Sequence, residues 1–226
     1  MSQDTWASVD QFFAPILATG DAAADAVLDA ALADSESAGL PPIQVTPPQG
    51  KFLHLLARIA GARRILEIGT LGGYSTIWLA RALPAGGTIV TLEMAPKHAE
   101  VARANFARAG VADRIDLRLG QASETLAALA AESREPFDFV FIDADKKSIP
   151  EYFAWALDHT RRGGVIVVDN VVRGGAVADL ATADPDVQGV QRFTRALATE
   201  RRVSATALQT VGAKSYDGFV LARVMD

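Results

Sequence analysis

No cysteine occurs among the 226 residues, which excludes disulfides, thiolate metal sites and cysteine nucleophiles. Apolar runs of membrane-spanning length are missing too. Residues 1–17 hold two acids, no lysine or arginine and no long apolar stretch, unlike a signal peptide or an anchor, so a soluble cytoplasmic protein is expected. Cations are in deficit, 22 Lys and Arg against 27 Asp and Glu, for a formal charge of −5. Nucleic acid is bound by clustered cations, so the expected partner is a small molecule and neither nucleic acid nor a membrane.

Hydrophobic residues make up 50% of the chain and charged ones 22%, enough for one sizeable α/β domain over residues 1–226. Alanine-rich patterns predict helices from Val9 to Leu17 and from Ala22 to Ala38, the second stopped by Gly39. Leu40 to Pro48 reads as an extended connector, because each proline pushes its predecessor away from helical angles. Residues 1–48 therefore contribute helices and a connector to the site or to a dimer.

Beyond the connector, strand and helix patterns alternate. Strands are expected at Arg64 to Ile68, Thr88 to Leu92, Ile115 to Leu119, Phe137 to Ile142 and Gly164 to Val168. Helices are expected at Gln49 to Ile59, Ser75 to Leu83, Pro96 to Ala109, Ser123 to Glu132, Pro150 to Thr160 and Pro185 to Thr199. A closing hairpin, Val203 to Thr210 and Gly218 to Val224, follows. This order predicts a doubly wound, mostly parallel, Rossmann-like sheet of seven strands, with an antiparallel C-terminal hairpin, helices on both faces and extra N-terminal helices.

Two of these strands end abruptly in oxygen donors. Phe139-Val140-Phe141-Ile142 runs into Asp143-Ala144-Asp145-Lys146, and Val165-Ile166-Val167-Val168 into Asp169-Asn170. Buried parallel strands emerging at their carboxyl ends look like this, and Asp143, Asp169 and Asn170 can converge on an oxygen-loving divalent cation beside Lys146. The plainer alternative is that both aspartates only cap turns.

The first strand–helix junction, Glu67-Ile68-Gly69-Thr70-Leu71-Gly72-Gly73-Tyr74-Ser75, lacks both the lysine of a phosphate loop and the Gly-x-Gly-x-x-Gly spacing of a dinucleotide site. Its glycines admit close approach of a ligand, and Ser75 is placed to cap the next helix. Glu93, ending the second strand, suits the two hydroxyls of a ribose. A helix start without a phosphate cradle favours S-adenosylmethionine over NAD.

These motifs together resemble the cation-dependent O-methyltransferases of the class I fold, the group of catechol and caffeoyl-CoA O-methyltransferases. The resemblance runs from about Leu40 to the C-terminus. It implies that Glu67 and Ser75 hold the amino-acid end of S-adenosylmethionine, that Gly69 and Gly73 make room for it, and that Glu93 binds its ribose. Val45, Met94, Ala122 in the turn Gly120-Gln121-Ala122-Ser123, and Asp143 complete the implied cofactor contacts. Asp143, Asp169 and Asn170 match the metal ligands, with Mg²⁺ first and Mn²⁺ or Ca²⁺ as alternatives, and Lys146 matches the catalytic lysine. A homodimer is implied as well. Two positions depart from the pattern: Ile149 replaces a tyrosine three residues beyond the lysine, and Arg173 stands where plant relatives carry a tryptophan near the acceptor.

The chemistry asks for the same groups. A phenolic hydroxyl titrates near ~10 and is a poor nucleophile at neutral pH until a cation holds it, and vicinal hydroxyls can chelate. Lys146 is the candidate general base or phenolate-orienting group. A metal-independent methyltransferase and a non-catalytic nucleotide-binding module are the competing readings. His54, His98 and His159 each sit alone on expected helices, Trp78 and Phe106 read as core, and Trp6, Phe12 and Phe13 pack across a dimer or over the substrate. Tyr216 and Asp217 are expected in the hairpin turn.

Overall fold

Short β-branched and aromatic runs become the central strands here because helices cover them on both faces. The computed structural model of the chain describes residues 2–17, 21–132 and 135–225. Within them, β1 (Arg64–Ile68), β2 (Thr88–Glu93), β3 (Ile115–Leu119), β4 (Phe137–Ile142), β5 (Thr160–Asp169), β6 (Val203–Gly212) and β7 (Ser215–Val224) form one sheet. Its order is β3-β2-β1-β4-β5-β7-β6, with the first five strands parallel and β7 antiparallel to both β5 and β6. The helices are α1 (Gln3–Leu17), α2 (Ala22–Ser37), α3 (Pro47–Ile59), α4 (Tyr74–Ala82), α5 (Pro96–Arg108), α6 (Ala122–Glu132), α7 (Ile149–His159) and α8 (Pro185–Leu197).

Alternation along the strands divides the core in two. Leu66, Ile68, Val140 and Ile142 pack with α6, α7 and α8, whereas Ile65, Phe139, Phe141 and Val167 pack with α3, α4 and α5. Phe139 and Phe141 are fully buried, and truncating either to alanine costs about 3–5 kcal/mol on the usual scale for core aromatics. Trp78 and Phe106 are buried in the second core as expected.

Chain order leaves the sheet outward in one direction from β1 through β3 and in the other from β4 through β5. The switch point therefore lies between β1 and β4, where a ligand crevice opens beyond the strand ends. Backbone bonds stitch these strand tips together: Asp143 N–H donates to Ile68 O at 2.8 Å, joining β4 to β1, and Gly69 N–H to Leu92 O at 3.0 Å, joining β1 to β2.

Several boundaries differ from expectation. Helix α3 starts at Pro47, since proline's fixed φ and missing N–H suit a first turn, and Thr46 caps it. Helix α1 starts at Gln3, six residues before Val9, and runs through Pro15. Strand β5 begins at Thr160 and reaches its regular register after an irregularity opposite Phe137 and Phe139. The hairpin is longer, turning over Ala213 and Lys214, so Tyr216 and Asp217 lie on β7 instead of in the turn. Short 3-10 turns at Ala112–Arg114, Lys146–Ser148 and Arg173–Ala178 carry no amphipathic period that would announce them. Phe12 and Phe13 meet edge to face on the solvent side of α1, exposed by 63% and 47%. Among the described residues no helix is long and apolar enough to cross a membrane.

Candidate active site

The ends of β1, β2 and β4 enclose a cavity of about 700 Å³, within the range of small-molecule sites. Gly69, Ser75, Glu93, Met94, Ala122, Asp143 and Lys146 line it, as does Val45 from the connector. Glu93 is nearly buried; its Oε2 accepts from Leu71 N–H at 2.8 Å and its Oε1 from Ala95 N–H at 2.9 Å. An ionised carboxylate has about four acceptor positions, so these two donors do not exhaust it. His98 is not alone, as its Nδ1 lies 3.2 Å from Glu93 Oε1 and its ring lines the cavity.

Glu67 does not reach this cavity. Strand alternation turns it into the layer behind, where Ser75 (2.6 Å), Thr91 (2.7 Å) and Thr76 donate hydroxyls to its carboxyl. Ser75 is thus not a cap; Gly73, at φ +83°, occupies the capping position. Nor does Gly73 border the cavity. A Cβ there would come within 2.3 Å of the Phe106 ring, so its missing side chain makes room for the core rather than for a ligand. Gly69 does border it, at φ +103° and packed against the Asp143 carbonyl.

Burial, partly offset by the three hydroxyls, pushes the Glu67 carboxyl up from 4.5 to about 7. A folded-state value above the unfolded one means the fold binds the extra proton. Stability is then greatest below the unfolded value and is lost as pH rises from about 4.5 to about 7. Glu67→Gln should flatten that decline by up to about 1.4 kcal/mol per pH unit in urea unfolding of the ligand-free protein. Identical slopes in parent and variant would show that Glu67 titrates as it does unfolded.

Lys146 is buried, and its Nζ donates to Asp143 Oδ1 at 2.6 Å. Helix α8 fixes this turn: a Cβ on Gly189 would meet Lys146 O at 2.3 Å. Asp169, also buried, accepts from Gln49 Nε2 at 2.6 Å and from Asn170 N–H at 2.8 Å. Desolvation and the neighbouring Asp143 push its carboxyl up to about 7, with Lys146 and the two donors opposing. Asn170 holds a left-handed backbone at φ +56°. A second cavity of about 640 Å³ adjoins this edge, lined by Asp169, Phe52, Phe219 and Lys214; Val45, Asn170 and Arg173 line both.

Residues outside the sequence expectation also matter. Gln49 anchors Asp169, and Tyr152 lines the first cavity with its hydroxyl donating to Asp145 at 2.6 Å. Ile149, which departs from the family pattern, is fully buried in the core, while Tyr152 supplies an aromatic hydroxyl one helical turn later.

A sequence profile described as O-methyltransferase matches residues 23–225. A catechol O-methyltransferase of Niastella koreensis is 49% identical over 224 residues, covering 99% of this chain and all of that protein. Among solved structures, an O-methyltransferase from Bacillus cereus in complex with SAH superposes with a TM-score of 0.93 at 54% identity, covering 99% of this chain and 100% of that one. The O-methyltransferase TomG from Streptomyces achromogenes, in complex with SAM, gives 0.94 at 51% identity with full coverage of both. With a crevice at the switch point and relatives alike over their whole length, this chain belongs to the O-methyltransferase family and is an S-adenosylmethionine-dependent O-methyltransferase.

Proposed function

We propose that the enzyme depends on a divalent cation and methylates one hydroxyl of a small catechol-like acceptor. The observation that carries this reading is the acidic edge between two cavities, with Asp143 lining the first, Asp169 the second and Asn170 both. Two carboxylates and an amide oxygen form a hard donor set that suits Mg²⁺, with Mn²⁺ or Ca²⁺ as substitutes. No three His, Cys, Asp or Glu side chains cluster among the described residues, so a third protein donor would be an amide oxygen, for which Asn170, beside Asp169 and lining both cavities, is placed. The raised Asp169 carboxyl supports the fit, because buried Asp169 and half-buried Asp143 share one lysine and a dication would relieve the excess charge. When bound, the cation lowers the pKa of a coordinated hydroxyl.

The chain's own residues do the rest. Gly69, Ser75, Glu93, Met94 and Ala122 would seat the methyl donor, and Val45 would separate it from the acceptor cavity. Lys146 Nζ, held beside Asp143, is placed to take or share the acceptor proton. Methyl transfer is mostly a positioning problem, which this rigid strand-tip arrangement addresses. Residues 1–226 would act as a single methyltransferase domain. The exposed apolar face of α1 would pair with a second copy, giving a dimer mass in sedimentation velocity; a monomer at micromolar concentration removes that part.

A methyl-transfer assay over vicinal diphenols, with and without excess chelator, tests the proposal. Turnover is expected only with the cation present, and monophenols should react poorly. Full activity in chelator would favour the metal-independent reading, in which Asp143 and Asp169 merely hold backbone.

A further inference from the structure

Lys146 holds Asp143, but among the described residues Asp169 forms no ion pair. Two N–H donors fix its carboxylate instead, one on each oxygen: Asn170 N–H on Oδ1 at 2.8 Å and Gln49 Nε2 on Oδ2 at 2.6 Å. The first is local, from the next residue. The second spans 120 positions of sequence and comes from a side chain that the proposed reaction does not employ. A carboxylate only accepts, so the amide must turn its NH₂ toward it.

The first turn of α3 is built to aim that amide. Pro47 and Pro48 bring no N–H, Thr46 Oγ1 accepts the Gln49 N–H at 3.4 Å, and Thr46 O accepts the Gly50 N–H at 2.8 Å. No backbone donor of this turn is left over, so the Gln49 side chain makes the contact to the acidic edge. Its neighbours fix where it stands. A Cβ on buried Gly50 would run into the Trp78 ring, which seats α3 tightly on α4. Phe52 meets Phe219, the strand partner of Asp169, with ring centroids 5.1 Å apart. The helix is thereby registered against the strand pair that carries the carboxylate. A group that orients a metal ligand in this way tunes how tightly the metal is held.

We propose that Gln49 is a positioning residue for the cation: its amide fixes the plane of the Asp169 carboxylate, whose remaining lone pairs then face the second cavity. This rests on the cation reading above and names the residue that sets cation affinity. The test counts free Mn²⁺ by electron paramagnetic resonance as it is titrated into the full chain saturated with SAH. Gln49→Met has similar length and no donor, and Gln49→Asn keeps the amide but falls one methylene short. Each should weaken Mn²⁺ binding by about 10-fold or more, the scale of losing a group that orients a metal ligand. SAH affinity should stay within about threefold of the parent, because Gln49 lines the second cavity and not the first. In methyl-transfer assays the loss should fall on the Mn²⁺ concentration that gives half-maximal rate, and excess Mn²⁺ should recover most of kcat. Parent-like Mn²⁺ affinity in both variants, with or without a turnover defect that excess Mn²⁺ leaves unrepaired, overturns the role of Gln49 and leaves the cation reading standing. A parent that binds no Mn²⁺ and turns over in chelator overturns both.

Discussion

Asp169→Ala is expected to lower kcat for a vicinal diphenol by about 10²–10³-fold or more, the scale of losing one preorganised electrostatic group. The variant keeps Asp143 and Asn170, but Asp143 is already occupied by Lys146 at 2.6 Å, so a dication would find a single competing carboxylate. SAH affinity should stay within about threefold of the parent, well under 1 kcal/mol. That separation follows from geometry, since Asp169 lines the second cavity and not the first. Folding should survive, because the substitution removes a buried acid whose ionisation the fold opposes, although Gln49 and Asn170 N–H lose an acceptor. Steady-state kinetics with calorimetry for SAH decide the matter. Turnover within tenfold of the parent would mean that the acidic edge is only architecture.

Gly69→Ala should have the second large effect, and on the opposite partner. An added Cβ would sit 2.0 Å from Asp143 O and 2.8 Å from its carbonyl carbon, against backbone that cannot rotate aside. The φ of +103° adds strain for any L side chain. Together these should cost about 2–5 kcal/mol of stability, combining overpacking with a left-handed backbone. Parting β1 from β4 would also open the floor of the donor cavity, so SAH binding should weaken by at least about 100-fold, the effect of roughly 3 kcal/mol. Gly110→Ala is the matched control: its φ is +65°, but nothing lies within 4 Å of the added atom. If both variants melt together and bind SAH alike, the tight seat at Gly69 has no functional weight.

The sheet was readable because a short apolar run ending in an acid fits little besides a buried parallel strand, and strand alternation with helices restricts the topology. Side-chain direction was less accessible. Glu67 sits in a motif next to the ligand loop, yet the two-residue period of β1 turns it away from the cavity. Gly73 looks like a ligand-facing glycine until Phe106, on another helix, is seen filling the space above it. The left-handed backbones at Asn170 and Arg173 were hidden because neither is glycine. Gln49, Asp10 and Lys214 come from distant segments, and only tertiary closure brings them to the Asp169 edge. Pro47 misled in a simpler way, since the same residue that breaks a helix interior begins one well.

Strand β7 lies between β5 and β6, although it follows both in the chain. Its Phe219 pairs with Asp169, and its Asp217 tethers the loop carrying Arg173. A ribosome-bound chain ending before Ser215 would possess the whole methyl-donor crevice, but its acceptor wall would be an open sheet edge. The growing polypeptide is thereby exposed to unwanted strand pairing until β7 emerges, and a truncation that removes β7 would open the second cavity while leaving the lining of the first in place.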